Sequence, residues 1–376
     1  MSLTVVQLLP ALDSGGVERG TLEIGRALVE QGHRSVVISH GGRLVAQLEA
    51  EGSEHITLPV HRKSLTSLLR VRDLRGRIAA LAPDVVHARS RVPAWLAWLA
   101  LRRMAPMLRP AFVTTVHGLY SVNAYSEIMT RGDVVIAVSE TARRYVVDNY
   151  RRCPPERIRV ILRGVDPQEF PADFRPSEAW LADWRRQYPQ LAGRRVITLP
   201  GRITRLKGHD AFIRLIAALV TAGEPVHGLI VGGAEQRKQA YLDELRSEIE
   251  AAGLDDHISL TGLRADIREV FSQSDVIVSL SRQPESFGRT ALEALALRVP
   301  MVGWSHGGVG EILGEMFPAG AVPPGDFEAL LGCVRMVLAE RPRVGALPPA
   351  FMRARMCADT LDVYRDLAAK RRGADR

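Results

Sequence analysis

Two glutamates eight positions apart, Glu285 and Glu293, bracket the run Ser286-Phe287-Gly288-Arg289-Thr290-Ala291-Leu292, and two cations, Arg202 and Lys207, flank Ile203-Thr204-Arg205-Leu206. A planar guanidinium fork and a compact ammonium together suit a diphosphate. A carboxylate in a loop can accept hydrogen bonds from sugar hydroxyls, and one a turn into a helix can do the same for a ribose. Ser286 is placed to cap that helix, and the amides of Phe287 and Gly288 then face an anion at its N-terminus. Plainer readings exist for each part: helical glutamates are usually solvated, and Arg202 and Lys207 suit a surface as well as a phosphate. The glutamate pair also has the composition of a glycosidase acid and nucleophile, but a hydrolase has no use for two cations and a helix N-terminus aimed at a diphosphate.

Two further glycine loops lie in comparable settings. Asp13-Ser14-Gly15-Gly16-Val17-Glu18-Arg19 follows the first apolar run, and Gly307-Gly308-Val309-Gly310-Glu311 follows one of the last. Adjacent glycines let a backbone approach a ligand, and the helix that follows offers free N–H groups. Neither loop has the G-x-G-x-x-G or Walker A spacing, and each is equally an ordinary strand-to-helix turn. Metal chemistry finds little support, because there is no Asp-x-Asp triplet and Cys153, Cys333 and Cys357 stand far apart without a C-x-x-C pair.

The elements that must position these residues alternate. Strands are predicted at Val5–Leu9, Val36–Ser39, Ile56–Leu58, Val85–Ala88, Phe112–Thr115, Val134–Val138 and Val160–Leu162, and again at Val196–Pro200, Gly228–Val231, Ile258–Thr261, Val276–Ser279 and Met301–Gly303. Helical patterns lie between them, such as Val17–Gln31 closed by Gly32. The class is α/β with two doubly wound parallel units. A polar stretch over Asp166–Gly193, punctuated by Pro167, Pro171 and Pro176, separates them. The expected division is 1–168, 169–355 and a terminal helical segment 356–376. Ligands of such sheets bind outside the carboxyl ends of the strands, where all four loops fall.

Length agrees with two domains, since 376 residues exceed one ordinary core. The N-terminal residues 1–165 carry 23 Lys/Arg against 14 Asp/Glu, while the remainder carries 27 against 28. This one-sided basicity fits an anionic partner or a solvated arginine-rich face. No nucleic-acid-reading motif accompanies it. The opening MSLTVVQLLPALDSGG reads as a buried first strand rather than an export signal, and the longest apolar run, Val92–Leu101, is too short to span a bilayer. A cytoplasmic protein is therefore expected.

These residues resemble the large retaining glycosyltransferase family 4 of GT-B fold, which includes glucosyltransferases of the lipopolysaccharide core. The likeness is carried by Gly15-Gly16-Val17-Glu18-Arg19, Thr115-Val116-His117-Gly118, Val138-Ser139, Gly164-Val165-Asp166, Gly201-Arg202 with Lys207-Gly208, the element Glu285 to Glu293, and Gly307-Gly308 with Glu311. It implies two Rossmann-like domains facing a central cleft, the N-terminal one for the acceptor and the C-terminal one for the donor. Met356–Ala369 would be a helix crossing back to the first domain. It further implies that Arg202 and Lys207 bind the diphosphate, Glu293 the ribose and Glu285 the donor sugar, while Ser286, Phe287 and Gly288 present amides. Gly15 and Gly16 would belong to the donor site, Gly16 beneath the reaction centre, and His117 would approach the sugar as a hydrogen-bonding partner. The implied reaction retains configuration at the anomeric carbon and needs no metal or other cofactor. The donor is a nucleoside diphosphate sugar, UDP ahead of other bases, and the acceptor a glycan or glycolipid of the cell envelope. A noncatalytic glycan- or partner-binding protein and a nucleotide-sugar epimerase share the architecture and stay open as alternatives.

Three positions depart from the pattern. Arg298 stands where Gly commonly precedes Val-Pro, Arg163 where Asn precedes Gly164, and Arg89 where a second histidine follows His87-Ala88. Arg89 and Arg19 are assigned to the acceptor side, Arg89 as a phosphate contact. Leu65, Leu68, Leu69, Leu74, Ile78 and Leu81 fall near one helical face beside Lys63, Arg70, Arg72, Arg75 and Arg77. That is the composition of an interfacial helix, with Trp95 and Trp98 nearby, so an anionic membrane surface is an expected partner and a peripheral position on the inner face of the cytoplasmic membrane follows. A stripe facing a core produces the same pattern.

Overall fold

The computed structural model describes residues 2–13, 15–61, 67–233 and 239–374, and within helices the side chains of residues 67, 68 and 374 are not described. The chain forms two compact units, one of residues 1–163 with 353–376 and one of residues 164–352. The sequence reading set these divisions at 168/169 and 355/356.

Unit 1 runs β1 (Thr4–Leu8), α1 (Gly16–Glu30), β2 (Arg34–Ser39), α2 (Val45–Ala50), β3 (Glu54–Thr57), α3 (Ser67–Leu81), β4 (Val85–Ala88), α4 (Arg91–Leu101), β5 (Ala111–Val116), β6 (Val134–Ala137), α5 (Glu140–Asn149) and β7 (Ile158–Val160). All seven strands are parallel, in the order β3-β2-β1-β4-β5-β6-β7. Parallel strands are covered by helices on both faces and so read as unbroken apolar runs. Every residue of β4 and β5 is buried, which is why these runs were legible without alternation.

Unit 2 continues with α6 (Glu178–Gln187), β8 (Arg195–Pro200), α7 (His209–Thr221), β9 (Val226–Val231), α8 (Gln239–Ala251), β10 (Ile258–Gly262), α9 (Ile267–Ser272), β11 (Val276–Ser279), α10 (Arg289–Ala296), β12 (Met301–Trp304), α11 (Gly307–Met316), β13 (Ala321–Val322) and α12 (Phe327–Glu340). Its sheet is parallel in the order β10-β9-β8-β11-β12-β13. The final helix, α13 (Arg353–Ala374), belongs to unit 1. There Met356, Leu361 and Tyr364 join Val5, Ile24, Leu28, Val85 and Val113 in the core.

Strand order reverses between β1 and β4 in unit 1 and between β8 and β11 in unit 2. At such a point neighbouring strands send their helices to opposite faces, and a crevice opens at their carboxyl ends. In unit 2 the two loops that leave this crevice are those of Lys207 and Glu285.

Two sequence expectations change. In α3, Val71, Leu74 and Ile78 are buried and only Leu69 among the described leucines of the stripe is exposed, so this apolar face packs into unit 1. Lys63, Leu65 and the side chain of Leu68 lie outside the described residues, as does Ser14. Trp95 and Trp98 likewise have protein partners: the Trp95 indole donates to the Tyr125 carbonyl at 2.9 Å, and the Arg102 guanidinium covers the Trp98 ring at 4.6 Å. Among the described residues no helix is long and apolar enough to cross a membrane.

Candidate active site

In unit 2 the loop after β8 turns through Gly201, a short 3-10 turn over Arg205–Lys207, and Gly208 before α7 begins. Gly208 has φ of 74°, and a Cβ on it would stand 2.0 Å from the Leu280 carbonyl oxygen. Only glycine allows the start of α7 to press against the exit of β11. That contact carries Lys207 across the crevice, where its Nζ donates to Glu285 Oε1 at 2.7 Å. The Ser281 hydroxyl donates to the same oxygen at 2.5 Å, and the Ser281 carbonyl meets His306 Nε2 at 3.0 Å.

Burial alone would raise the Glu285 carboxyl. The Lys207 ammonium, the hydrogen bonds from Lys207 and Ser281, and His306 outweigh it, so the group sits below its ordinary value and is ionised at neutral pH. Arg202 lies exposed at the mouth of the same loop. A cation and a carboxylate are thus held together at the switch point.

The loop after β11 leads into α10. Its N-cap position is held by Gly288, two residues beyond the Ser286 expected there, and glycine brings no capping side chain of its own. Gly288 adopts φ of 98° where the helix begins, which moves the cap two residues on. The start of a helix, where backbone N–H groups point outward, is a setting that favours an anion. Phe287 turns its ring inward, 5% exposed, which leaves its main chain and not its side chain for the crevice.

A Cβ at Gly308 would stand 2.3 Å from the Phe287 Cα and carbonyl oxygen, and the Gly308 N–H donates to the Glu285 carbonyl at 2.8 Å. Gly307-Gly308 therefore serves to seat α11 against the Glu285–Phe287 backbone. One turn into α10, Glu293 is 4% exposed and accepts from Arg289 Nε at 3.1 Å. The carboxylate is held by its neighbour four residues back, on the face that an i, i+4 pair shares.

In unit 1, Gly15 is the N-cap of α1, again with no side-chain cap, and a Cβ there would meet Glu18 Oε2 at 2.6 Å. Gly16 opens the helix, and its carbonyl accepts from Arg163 Nη2 at 3.2 Å. His117 follows β5. Burial and the nearby Arg163 and Arg89 push its imidazole well below the ordinary value, so it is neutral at physiological pH and offers a hydrogen bond, not a charge. Arg19 leans on Glu23 at 3.9 Å and stays partly exposed.

Arg89 departs from expectation. It is 1% exposed, its Nε donates to Gln7 Oε1 at 2.8 Å, and Tyr364 lies beside it. A guanidinium so enclosed ties β4 to β1 and α13 and does not reach an acceptor. His87 is enclosed beside it, with Nδ1 at 2.6 Å from the Tyr364 hydroxyl and Nε2 at 2.7 Å from Thr115 Oγ1.

Ser281, His306 and Arg289 support the two glutamates yet were not assigned from sequence. Arg289 had a readable signal in its i, i+4 spacing to Glu293. Ser281 and His306 come from two different strand exits, and nothing local announced them. Among the described residues no group of three or more His, Cys, Asp or Glu side chains is arranged to hold a metal ion.

Comparison with known proteins agrees with this layout. The sequence profile described as Glycosyltransferase Family 4 matches residues 14–169, and that of Glycosyl transferases group 1 matches residues 182–346. The lipopolysaccharide core biosynthesis mannosyltransferase LpsB of Rhizobium meliloti is 27% identical over 70% of this chain and 71% of its own. The 2-deoxystreptamine N-acetyl-D-glucosaminyltransferase of Streptomyces fradiae is 28% identical over 84% and 80%. A glycosyltransferase structure from Rickettsia africae superposes with a TM-score of 0.82 at 28% identity, covering 97% of this chain and 98% of that one. The Anabaena HepE structure in complex with UDP and glucose shares the fold, with a TM-score of 0.76 at 20% identity and 98% of each chain covered. With both sheets, their switch-point loops and both sequence profiles in agreement, the chain belongs to glycosyltransferase family 4 and its two Rossmann-like domains are those of the GT-B fold.

Proposed function

We propose that this glycosyltransferase transfers a hexose-type sugar, with retention of anomeric configuration and without a metal, from a UDP-sugar to a glycan or glycolipid of the cell envelope. The observation that carries the reading is the Lys207–Glu285 pair at the β8/β11 switch point, beside the start of α10 at Gly288. Lys207 and Arg202 bind the diphosphate together with the amides of Ser286, Phe287 and Gly288. Glu293 accepts from the ribose hydroxyls and Glu285 from the donor sugar. Neutral His117 hydrogen-bonds the sugar, and the Gly15-Gly16 turn leaves room for it.

In the reaction the acceptor hydroxyl oxygen bonds to the anomeric carbon on the face from which the nucleoside diphosphate departs. The bond from that carbon to the phosphate oxygen breaks, and a phosphate oxygen takes the hydroxyl proton. Catalysis then rests on positioning and on stabilising charge on the leaving phosphate by fixed cations and helix N–H groups.

The choice of a cell-envelope acceptor is supported by LpsB, a lipopolysaccharide core mannosyltransferase, and the choice of UDP by the fold-level likeness to a protein that holds UDP and glucose. A cytoplasmic site of action and contact with an anionic membrane surface through unit 1 belong to the same proposal. Its basic residues and free, largely buried cysteines support them.

Incubation of the protein with UDP-hexoses and envelope glycan, with and without EDTA, followed by NMR of the product, tests the reading. Transfer with the donor's anomeric configuration, insensitive to EDTA, is expected. An inverted product, a metal requirement, or epimerised donor without transfer would each contradict it.

A further inference from the structure

A second cavity, of about 740 Å³, lies in unit 2 at the amino ends of β11 and β12, the edge of the sheet opposite Lys207 and Glu285. Its polar walls are Arg298, Arg341, Arg343 and Asp275. Asp275 is already engaged: one oxygen accepts from the Val196 N–H at 2.8 Å, and the other from Arg195 at 2.9 Å, with Arg341 3.6 Å away. Three arginines therefore line one cavity whose single carboxylate is shared with a fourth arginine. Residues 166–376 together are close to charge balance, so this concentration is local.

Backbone geometry sets the cavity apart as well. Among the described residues only Ala82, Arg298 and Arg341 are non-glycine residues with positive φ, and two of the three line this cavity, at 62° and 48°. A left-handed backbone is unfavourable for a residue with a Cβ, and such positions persist where the surroundings over-determine them. Arg298 also stands where the resemblance leads one to expect glycine, the residue that meets no such cost. Its guanidinium donates to the Val344 carbonyl at 2.5 Å and so fixes the segment after α12 as the cavity's outer wall.

We propose that this cavity is a binding site for a phosphate-bearing anion, separate from the donor site. Guanidinium forks match phosphate oxygens two at a time. The site lies at the far end of the sheet from the donor crevice, so the ligand is not the donor in its reacting position. Free pyrophosphate and the terminal phosphates of a nucleotide present the same chemistry.

The test is calorimetric titration of the intact protein with inorganic pyrophosphate, and separately with UDP, on wild type, Arg298→Gly, Arg343→Ala and Lys207→Ala. Arg298→Gly removes a guanidinium and relieves the backbone but also releases Val344, so Arg343→Ala, which leaves the Arg298–Val344 bond in place, is the variant that separates lost charge from a loosened wall. In wild type, pyrophosphate should occupy two sites. Arg298→Gly and Arg343→Ala should each weaken one of them at least tenfold and leave the other unchanged, while Lys207→Ala does the converse. A UDP isotherm that also loses a site in Arg298→Gly identifies a nucleotide as an occupant; one that does not restricts the site to smaller phosphates. Pyrophosphate binding at a single site, or two sites both indifferent to Arg298→Gly and Arg343→Ala, would overturn the proposal.

Discussion

The guanidinium of Arg163 occupies the space that a side chain on Gly20 would fill: a Cβ there would stand 1.6 Å from Nη2 and 2.7 Å from Cζ. The two residues come from opposite ends of unit 1, one inside α1 and one just after β7. Arg163 is one of the departures from the family pattern, and a glycine in the helix is what admits it. The arginine end then reaches the Gly16 carbonyl and comes within 3.9 Å of Glu23.

This relationship predicts a change of sign. In an unconstrained helix interior, Gly→Ala stabilises by about 1 kcal/mol. Here Gly20→Ala must expel a buried guanidinium from its hydrogen bond, at a cost of about 1–2 kcal/mol, and should destabilise on balance. With Arg163→Asn already in place, the same substitution should stabilise. Urea denaturation of the four proteins of the cycle measures the coupling, and equal effects of Gly20→Ala in both backgrounds would refute the steric account.

Lys207 is what keeps Glu285 ionised. Its folded value lies below the ordinary carboxylate range, so the pair stabilises the fold at neutral pH and that contribution disappears as pH falls through the lowered value. Removing the ammonium by Lys207→Met leaves burial as the dominant influence, and the Glu285 carboxyl should rise above its ordinary value. Carboxyl ¹³C NMR across a pH titration measures this directly. An unchanged midpoint would show that Lys207 does not govern the group.

Buried histidines predict a second pH dependence. Burial lowers His209 and His227 to about 4 from an ordinary 6.5. Their folded values lie below their unfolded ones, so stability is full above about pH 6.5 and falls as the unfolded chain takes up protons toward pH 4, by roughly 3 kcal/mol per histidine. Denaturation midpoints at pH 7, 6 and 5 should fall in sequence, and His227→Gln should flatten the slope. A stability curve that stays level to pH 5 would contradict the neutral, buried assignment.

Close approach of α11 to the loop after β11 makes Gly308 a structural lever on the proposed donor site. Gly308→Ala places a methyl 2.3 Å from main-chain atoms of Phe287 that have no freedom to move aside. We expect destabilisation of about 2–4 kcal/mol, in the range of overpacked interiors, and lost nucleotide affinity in the fraction that folds. Gly314→Ala, whose Cβ meets nothing within 4 Å, is the control and should be close to neutral. Equal behaviour of the two variants would remove Gly308 from this role.

The sequence was most legible where the physics is local. Parallel strands buried on both faces print as apolar runs, so β4 and β11 were placed to the residue and most others within two. Strand β13, with two residues, carries too little pattern to be seen. The placement of Lys207 and Glu285 at one switch point was legible because strand exits there are few, and each such loop bore charge or glycine. What escaped depended on distant partners. Arg89 was expected on the acceptor side from its place in the resembled pattern, whereas Gln7 and Tyr364 enclose it from the far ends of the chain. Ser286 looked like a cap because serine commonly is one, and the left-handed Gly288 displaced it. The stripe on α3 has one pattern for a core and for a bilayer, and only the packing of Val71, Leu74 and Ile78 tells them apart.

The central claim is that unit 2 holds a nucleoside diphosphate through Glu293, Lys207 and the start of α10. Thermal unfolding with UDP, GDP, ADP and CMP, with and without EDTA, on wild type and Glu293→Ala, each against its own ligand-free baseline, tests it most directly. At about 100 times its dissociation constant a ligand adds about 2.7 kcal/mol to stability. The account predicts that UDP raises the midpoint of wild type regardless of EDTA and that Glu293→Ala loses the rise. No response to any nucleotide at millimolar concentration, or an equal rise in Glu293→Ala, would contradict it.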